Sequence, residues 1–276
     1  MKHKGIEKKL FFYIIIIILI IIISIFMIFI KNKNNQKDFN SNINNNISSS
    51  ISNTSSISND EIARQIKEID NKLDDPLLRL ITKELPLNSN YLPELITINN
   101  LNKQVDKRIL NDLNKMLSDG KKANINLYIQ SAYRSYNVQK TLYENKINNL
   151  LPKYDNDNAT ATIEAGKIVA PPGTSEHQYG MSLDIVEKSV SSLVPEVEEK
   201  TATYKWLYKN CANYGFILRY PKNKTDITGI MYEPWHFRYV GIENAKTIMS
   251  LGITLEEYIE QLLNEKNILE EKNKIE

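Results

Sequence analysis

The pattern of hydrophobic and polar positions divides this 276-residue chain into an apolar N-terminal run, a polar stretch and a long amphipathic region. From Leu10 to Ile30 the run contains no charged residue, and Ser24 is its clearest polar interruption. A helix rises about 1.5 Å per residue, so this run is long enough to cross a hydrocarbon core of about 30 Å. The pattern predicts a transmembrane anchor over residues 10–30, preceded by a short cytoplasmic tail over residues 1–9.

A cleaved secretory signal peptide is the alternative interpretation of this segment, because lysines precede the apolar run. The run exceeds the usual apolar length of about 7 to 15 residues in a signal peptide, and no small-x-small cleavage site follows it. Basic residues are denser before Leu10 than after Ile30. The positive-inside tendency therefore predicts a single-pass protein of the cell membrane whose folded part lies outside the cytoplasm.

Changes of composition divide the rest of the chain. Residues 31–59 are rich in Asn and Ser and offer too little apolar surface for a core, so they are predicted to form a disordered tether. Residues 60–90 begin with apolar positions at helical spacing and are predicted to form a helical lead-in, whose helix ends at Pro76. A folded domain is expected over residues 91–262. A charged C-terminal tail over residues 263–276 is expected to be a frayed, solvated helix.

Helices and short strands are predicted within the expected domain. Apolar runs and alternation predict strands over residues 125–131, 181–186 and 216–220. Helical spacing and end signals predict helices over 101–119, from the N-cap Ser135 onward, over 160–165, over 198–214 with Gly215 as C-cap, and after the capping box Thr254-x-x-Glu257.

Charge and cysteine content narrow the possible functions. The formal net charge is +2 with a pI near 8.3, and no basic stripe is interleaved with aromatic residues, so nucleic acid is not expected as a partner. Cys211 is the one cysteine and lies among apolar helix positions, which predicts a core residue and excludes an intrachain disulfide or a cysteine-based zinc cluster. A metal must therefore use nitrogen and oxygen ligands. Apart from His3, the histidines are His177 and His236.

One imidazole and one carboxylate lie seven residues apart around a glycine. Gly180 allows the backbone to turn between His177 and the predicted strand that carries Asp184. Alternation along that strand points Asp184 away from the apolar face and back toward the loop. This arrangement suits half of a metal site, and the alternative is a capping carboxylate beside a surface histidine.

A second short stretch carries another carboxylate and another imidazole, Glu233 and His236. Positions three apart lie on opposite faces of a regular strand, so both serve one site only if the backbone bends between them. With His177 and Asp184, His236 completes a His/Asp/His set with an open fourth position, which suits a hydrolytic zinc ion. Glu233 is then free to take a proton from water, and Trp235 is predicted to exclude bulk water and to line the substrate site.

Glu233 and Arg134 each have an alternative interpretation as residues of ordinary salt bridges. Glu233 either acts as this base or pairs on the surface with Arg219 or Arg238. Arg134, at the junction of a predicted strand and helix, either binds a substrate carboxylate or a developing oxyanion or forms an ordinary salt bridge.

Three ordered sequence blocks resemble a known enzyme family. They are Ser131-Ala132-Tyr133-Arg134-Ser135-Tyr136, Ser175-x-His177-x-x-Gly180-x-Ser182-x-Asp184 and Glu233-Pro234-Trp235-His236. They resemble the signature blocks of the VanY-type D-alanyl-D-alanine carboxypeptidases, which belong to the zinc D,D- and L,D-carboxypeptidase superfamily together with the VanX-type dipeptidases. The similarity extends from Tyr91 to Gly241.

The resemblance implies an α+β fold, with a small antiparallel sheet flanked by helices and a zinc cleft on one face. By position it implies that one zinc ion is bound by His177, Asp184 and His236, with Glu233 as general base, Arg134 stabilising the transition state, and Ser175 and Gln139 contacting the peptide. From the residues alone, Ser175 equally caps a turn and Gln139 equally lies on a helix surface. Ser182 stands where the family often has Ala, which adds a hydroxyl near the metal strand and leaves the ligands unchanged.

The leading hypothesis is a membrane-anchored zinc carboxypeptidase that removes the terminal D-alanine from peptidoglycan stem peptides, with the tether supplying reach. An L,D-carboxypeptidase or endopeptidase on the same scaffold is the second hypothesis, and a non-catalytic cell-wall-binding module is the third. A free Glu233 beside an open three-ligand site favours the enzyme, because a structural zinc usually has four protein ligands. The sequence indicates no oligomeric state.

Overall fold

The computed structural model describes residues 58–99, 101–190 and 193–275. The predicted anchor and nearly all of the predicted tether lie outside these residues. Within the described ranges, no helix combines the length and apolar character needed to cross a bilayer. One compact unit of the chain begins at Ile62, so nearly all of the segment predicted as a lead-in belongs to it.

Two antiparallel sheets form the β part of this unit. The strands are β1 (Leu95–Thr97), β2 (Gln104–Asp106), β3 (Tyr128–Ser131), β4 (Ser182–Val186), β5 (Phe216–Leu218) and β6 (His236–Tyr239). Strands β1 and β2 pair with each other, and the other four form a sheet in the order β3-β4-β6-β5. All the pairs are antiparallel, which confirms the small antiparallel sheet that was predicted.

Helices surround the sheets. They are α1 (Asn59–Leu73), α2 (Leu110–Lys122), α3 (Tyr136–Leu150), α4 (Asn158–Ile168), α5 (Glu176–Tyr179), α6 (Pro195–Glu198), α7 (Ala202–Asn210), α8 (Thr225–Thr228), α9 (Ile242–Leu251) and α10 (Leu255–Ile275). Single 3-10 turns lie at Pro76–Leu78, Lys107–Ile109, Leu151–Tyr154 and Cys211–Tyr214. The α+β class predicted from the sequence is therefore confirmed.

Several predicted end signals are present. The Ser135 side chain accepts a hydrogen bond from the amide of Val138 at the start of α3. At the start of α10, the Thr254 amide donates to Glu257 and the Glu257 amide donates to the Thr254 hydroxyl, which is the predicted capping box. Gly215 follows the 3-10 turn with a φ of 80°, as expected of a left-handed C-cap.

Two predicted helices are shorter than expected because local hydrogen bonds compete with them. Residues 104–106 pair with β1, and Asp106 then accepts from the Arg108 amide, so the helix predicted from residue 101 begins at Leu110. Thr201 caps α7 by accepting from the Tyr204 amide, which divides the helix predicted over residues 198–214. Strands β3 and β5 are also shorter than the predicted runs, and α4 is longer than the predicted 160–165.

The charged C-terminal tail is helical, as predicted, but it is neither frayed nor wholly solvated. Helix α10 continues without a break to Ile275. Leu269 is buried within it, and Lys266 forms an ion pair of 2.5 Å with Asp70 of α1. Most of the other side chains described in the tail are exposed, and the buried Leu269 and the Lys266–Asp70 ion pair hold this helix against the rest of the unit.

One hydrophobic core lies between the main sheet and the helices. Its buried members include Leu113, Met116, Leu183, Ile185, Phe216 and Phe237. Ile81 and Leu87 join this core from the predicted lead-in. Cys211 is fully buried, as predicted, and burial raises the pKa of its thiol to about 12, so it is an unreactive core residue.

Gly215 provides a direct test of this packing. A Cβ added there would lie 2.6 Å from Cε2 of Tyr239, whose hydroxyl is fixed by a hydrogen bond to Asp112. Gly215→Ala is expected to lower the free energy of unfolding by about 2–5 kcal/mol, from left-handed strain plus overpacking. Gly252→Ala is the control, because Gly252 has a φ of 64° and open space around it, and strain alone predicts about 1–2 kcal/mol. Urea unfolding measures both, and equal losses would contradict the packing argument.

Candidate metal centre

Asp184 and His236 are neighbours across two paired strands. In the antiparallel register of β4 and β6, Asp184 lies directly opposite His236. Nδ1 of His236 is 3.1 Å from Oδ1 of Asp184, and both side chains are buried. On the other edge of β4, Asp184 pairs with Ser131 after an irregularity in β3. The carboxylate therefore lies in the middle of the sheet, held by strands on both sides.

His177 reaches the same carboxylate from the short helix α5. Its Nδ1 lies 2.7 Å from the carbonyl oxygen of Ala132, and because a carbonyl only accepts, Nδ1 carries the proton. Nε2 is thereby left without a proton, 3.2 Å from Oδ2 of Asp184, and this buried nitrogen has no hydrogen-bond partner among the described residues. Gly180 ends α5 in the left-handed conformation, as the sequence predicted, and turns the chain into β4.

These three side chains offer a compact set of donor atoms. One ligand atom from each of His177, Asp184 and His236 lies within 4.8 Å of the others. Burial, aided by the positive charge of Arg134, lowers the pKa of His177 to about 4, so its imidazole is neutral and able to coordinate a metal. Burial alone would raise the pKa of Asp184, but the two imidazoles hold it well below its usual range. The centre thus combines a neutral imidazole, an ionised carboxylate and a second imidazole.

Glu233 approaches the cluster from a turn. Its amide donates to the Tyr220 carbonyl, and the His236 amide donates back to the Glu233 carbonyl at 3.2 Å, so Pro234 and Trp235 form a turn before β6. This is the backbone bend that the sequence required for both side chains to meet. Oε2 of Glu233 lies 3.7 Å from Nδ1 of His236. Burial raises the pKa of Glu233 to about 8, although His236 opposes that shift.

Arg134 lies against the carboxylate, and Gln139 holds it there. Nη2 of Arg134 is 3.7 Å from Oδ2 of Asp184, and Nη1 donates to Oε1 of Gln139 at 2.9 Å. Gln139 is buried and donates through Nε2 to the carbonyl of Ala170. The structure thus shows Gln139 bound to Arg134 and Ala170, whereas the resemblance implied a contact with the peptide. Nε of Arg134 is buried and has no partner within the described chain.

All eight predicted site residues line one cleft with a volume of about 670 Å³. The lining includes Arg134, Gln139, Ser175, His177, Asp184, Glu233, Trp235 and His236. The Ser175 side chain makes no capping bond to α5, which removes the turn-capping alternative for that helix. Helix α3 forms a further wall through Leu142, Asn145 and Lys146. A volume of this size suits a peptide fragment or another small ligand.

Glu176 is the important residue that the sequence analysis missed. It is buried between Arg219 and Arg238, each of which donates to its Oε1 at 2.8 Å. The surface pairing of these arginines with Glu233 is therefore wrong, because both are buried and bind Glu176. The Ser182 hydroxyl also donates to Glu176. Arginines within apolar strand segments were the available signal, since a buried guanidinium needs a carboxylate partner.

Comparison with known proteins identifies the class. The family model described as VanY, D-alanyl-D-alanine carboxypeptidase, matches residues 102–242. The putative carboxypeptidase YodJ of Bacillus subtilis is 37% identical over 67% of this chain and 68% of its own length. A D-alanyl-D-alanine carboxypeptidase of Enterococcus faecalis is 37% identical over 66% of this chain and 65% of its own length.

Solved structures show the same likeness. A VanY mutant from a VanB-type resistance cassette, in complex with Zn(II), is 36% identical, with a TM-score of 0.58 over 66% of this chain and 98% of its own. VanYB in complex with D-alanine-D-alanine is 36% identical, with a TM-score of 0.60 over 67% and 98%. The LD-carboxypeptidase LdcB is 37% identical, with a TM-score of 0.58 over 69% and 87%.

The comparisons, together with the His/Asp/His donor set, identify a zinc-dependent hydrolase of the D,D-carboxypeptidase class. This chain belongs to the VanY family of D-alanyl-D-alanine carboxypeptidases, which confirms the resemblance seen in its three sequence blocks. The zinc cofactor predicted from that resemblance agrees with the Zn(II) complex of the VanY relative and with the His/Asp/His cluster found here.

Proposed function

We propose that this enzyme hydrolyses the terminal D-alanine from peptidoglycan stem peptides, with one zinc ion held by His177, Asp184 and His236 and with Glu233 as the general base. The observation that carries the proposal is the convergence of three buried ligand atoms and one further carboxylate in a single cleft. The D-alanine-D-alanine complex of VanYB supports the substrate, and the Zn(II) complex of the VanY relative supports the metal.

The donor atoms fit zinc. Nε2 of His177 is an unprotonated nitrogen without a hydrogen-bond partner among the described residues, and Asp184 supplies an ionised oxygen beside it. Nδ1 of His236 faces the same carboxylate. Three protein ligands leave one position open, as in catalytic zinc sites. Zinc, when bound there, lowers the pKa of a water ligand toward neutrality and polarises a carbonyl group.

Glu233 suits the role of a proton carrier. It is buried, and its pKa of about 8 in the metal-free chain shows that protonated and ionised forms are close in free energy. We assign to it the removal of a proton from the attacking water and its delivery to the leaving amine. The turn that carries Glu233 holds it beside His236 without placing it in the ligand set.

Arg134 suits the stabilisation of negative charge. Its guanidinium is anchored by Gln139, and its buried Nε has no hydrogen-bond partner among the described residues. A fixed cation next to the metal stabilises the charge that develops on the substrate oxygen, because its orientation needs no rearrangement during the reaction. Ser175 and Trp235 line the same cleft, and we assign them to contact with the peptide.

An L,D-carboxypeptidase activity is the second candidate. The specific observation in its favour is LdcB, an LD-carboxypeptidase with 37% identity and a TM-score of 0.58. A pure binding module is disfavoured, because such a module has no use for a free buried glutamate beside an open three-ligand site.

Muropeptide substrates distinguish D,D-carboxypeptidase activity from L,D-carboxypeptidase activity. The full chain, purified in detergent, is expected to release alanine from stems that end in D-alanyl-D-alanine and to leave shortened stems uncut, as followed by mass spectrometry. Treatment with 1,10-phenanthroline is expected to abolish release, and added zinc to restore it. Cleavage confined to the shortened stems would establish the L,D activity instead, and activity that survives metal removal would refute the zinc mechanism.

Replacement of Glu233 separates its role from that of the ligands. Glu233→Gln keeps the size of the side chain but cannot accept the proton, so kcat is expected to fall by about 10²- to 10⁴-fold. Zinc content, measured by atomic absorption, is expected to stay at one ion per chain. The control is Asp184→Asn, which is expected to lose zinc as well as activity. Near-normal turnover by the Glu233 variant would contradict the assignment of the base.

We further propose that residues 10–30 anchor the enzyme in the cell membrane, with the catalytic domain outside the cytoplasm. The support is the uncharged apolar run and its denser basic flank on the N-terminal side. The full chain is expected to remain in the membrane pellet after alkaline carbonate washing and to be digested by protease added to spheroplasts. A variant lacking residues 1–59 is expected in the soluble fraction, and carbonate release of the full chain would contradict the anchor.

A further inference from the structure

Glu176 connects the metal centre to the rest of the unit through the two oxygens of one carboxylate. It lies next to His177 in α5 and is 1% exposed. Oε1 accepts hydrogen bonds from Nε of Arg219 and from Nη1 of Arg238, each at 2.8 Å. Oε2 accepts from the Ser182 hydroxyl at 3.1 Å and lies 3.5 Å from Nε2 of His236. The two oxygens therefore face different partners, the arginines on one side and the imidazole on the other.

The arginines are themselves fixed. Arg219 makes a two-bond pair with Glu256 of α10, at 2.8 and 2.5 Å. Nη2 of Arg238 donates to the backbone carbonyls of Leu77 and Arg79, each at 3.0 Å. Neither guanidinium can turn without breaking several bonds. Because both hold the same oxygen of Glu176, the carboxylate cannot rotate either, and Oε2 stays aimed at His236.

The geometry of His236 shows which of its nitrogens faces the metal. Nδ1 lies 3.1 Å from Asp184 and 3.7 Å from Glu233, on the side where the donor atoms of the cluster converge. Nε2 lies on the opposite side of the ring, is buried, and makes no hydrogen bond of good geometry within the described residues. A neutral imidazole that offers Nδ1 to a metal carries its proton on Nε2. Oε2 of Glu176 lies 3.5 Å from that nitrogen.

We propose that Glu176 is the positioning residue of His236: it accepts the Nε2 proton, selects the tautomer and holds the ring so that Nδ1 faces the metal. Metal-binding histidines usually donate their second nitrogen to a carboxylate or a carbonyl, which fixes the ring and raises its basicity. The Ala132 carbonyl does this for His177, and Glu176 does it for His236. The inference rests on the proposed function, because it takes His236 as a zinc ligand.

Glu176→Gln tests this role selectively. The side-chain oxygen of glutamine can take the place of Oε1 and keep both arginine bonds, but the amide then presents N–H to Nε2–H of His236, and two donors do not pair. Glu198→Gln is the matched control, because Glu198 is also 1% exposed and its Oε1 accepts from the Glu187 amide at 3.0 Å, while it does not line the cleft. Both variants lose one buried negative charge.

Zinc affinity is the primary measurement, made on the full chain in detergent by competition with a chromogenic chelator. Glu176→Gln is expected to weaken zinc binding by about 10- to 100-fold and to shift the visible spectrum of the cobalt-substituted enzyme. Glu198→Gln is expected to leave both unchanged. The thermal midpoints of the metal-free variants separate a loss of folding from a loss of positioning. Wild-type zinc affinity in Glu176→Gln, or an equal loss in both variants, would overturn the inference.

If Glu176→Gln does not fold, a measurement on the wild-type enzyme tests whether Glu176 accepts the Nε2 proton of His236. Long-range proton–nitrogen spectra of the zinc-loaded protein, with ¹⁵N-labelled histidine, are expected to place the His236 proton on Nε2 and to show slow exchange with solvent. A proton on Nδ1 would overturn the inference. A wild-type chain that binds no zinc would instead refute the proposed function, on which the inference depends.

Discussion

The register between β4 and β6 is the constraint on which the site depends. It places Asp184 opposite His236, and the same pairing places Ser182 opposite Arg238. Side chains alternate along a strand, so a slip of one residue would turn Asp184 into the apolar core and bring Leu183 to the metal. The apolar neighbours of these residues, Leu183 and Phe237, are fully buried in the core, and their burial is what resists that slip.

Burying so many ionisable groups requires that their charges compensate. On one side of His236, Glu176 and Glu256 balance Arg219 and Arg238 within a closed network of hydrogen bonds. On the other side, Asp184 and Glu233 face Arg134 and two imidazoles. Without a metal, burial would lower the pKa of His236, but Asp184 and Glu176 raise it to about 9. These carboxylates thus favour a positive charge at the centre. A bound divalent cation supplies that charge, so the imidazoles can stay neutral.

The sequence predicted features that depend on local rules and missed those that depend on distant partners. The Ser135 cap, the Thr254–Glu257 capping box and the glycine turns at Gly180 and Gly215 follow from short-range hydrogen bonds and backbone freedom, and all four are present. Strand β2 is an exception, because its partner β1 lies only a few residues earlier; Val105 continues the helical spacing of Ile109 and Leu113, so the apolar pattern predicts a helix there. Seven of the eight predicted site residues that line the cleft lie in three recognisable sequence blocks, and Gln139 follows the first block by three residues.

Glu176 was missed because it does depend on distant partners, since Arg219 and Arg238 lie 43 and 62 residues away in the sequence. The two acids that were recognised differ in how they are held, and this difference explains their assigned roles. Asp184 has a short side chain on a central strand between two imidazoles, which suits a fixed ligand. Glu233 has a longer side chain on a turn outside the sheet, and no hydrogen bond from the described residues holds its carboxylate. A group that must collect and deliver a proton needs that freedom, whereas a group that sets the position of a metal does not.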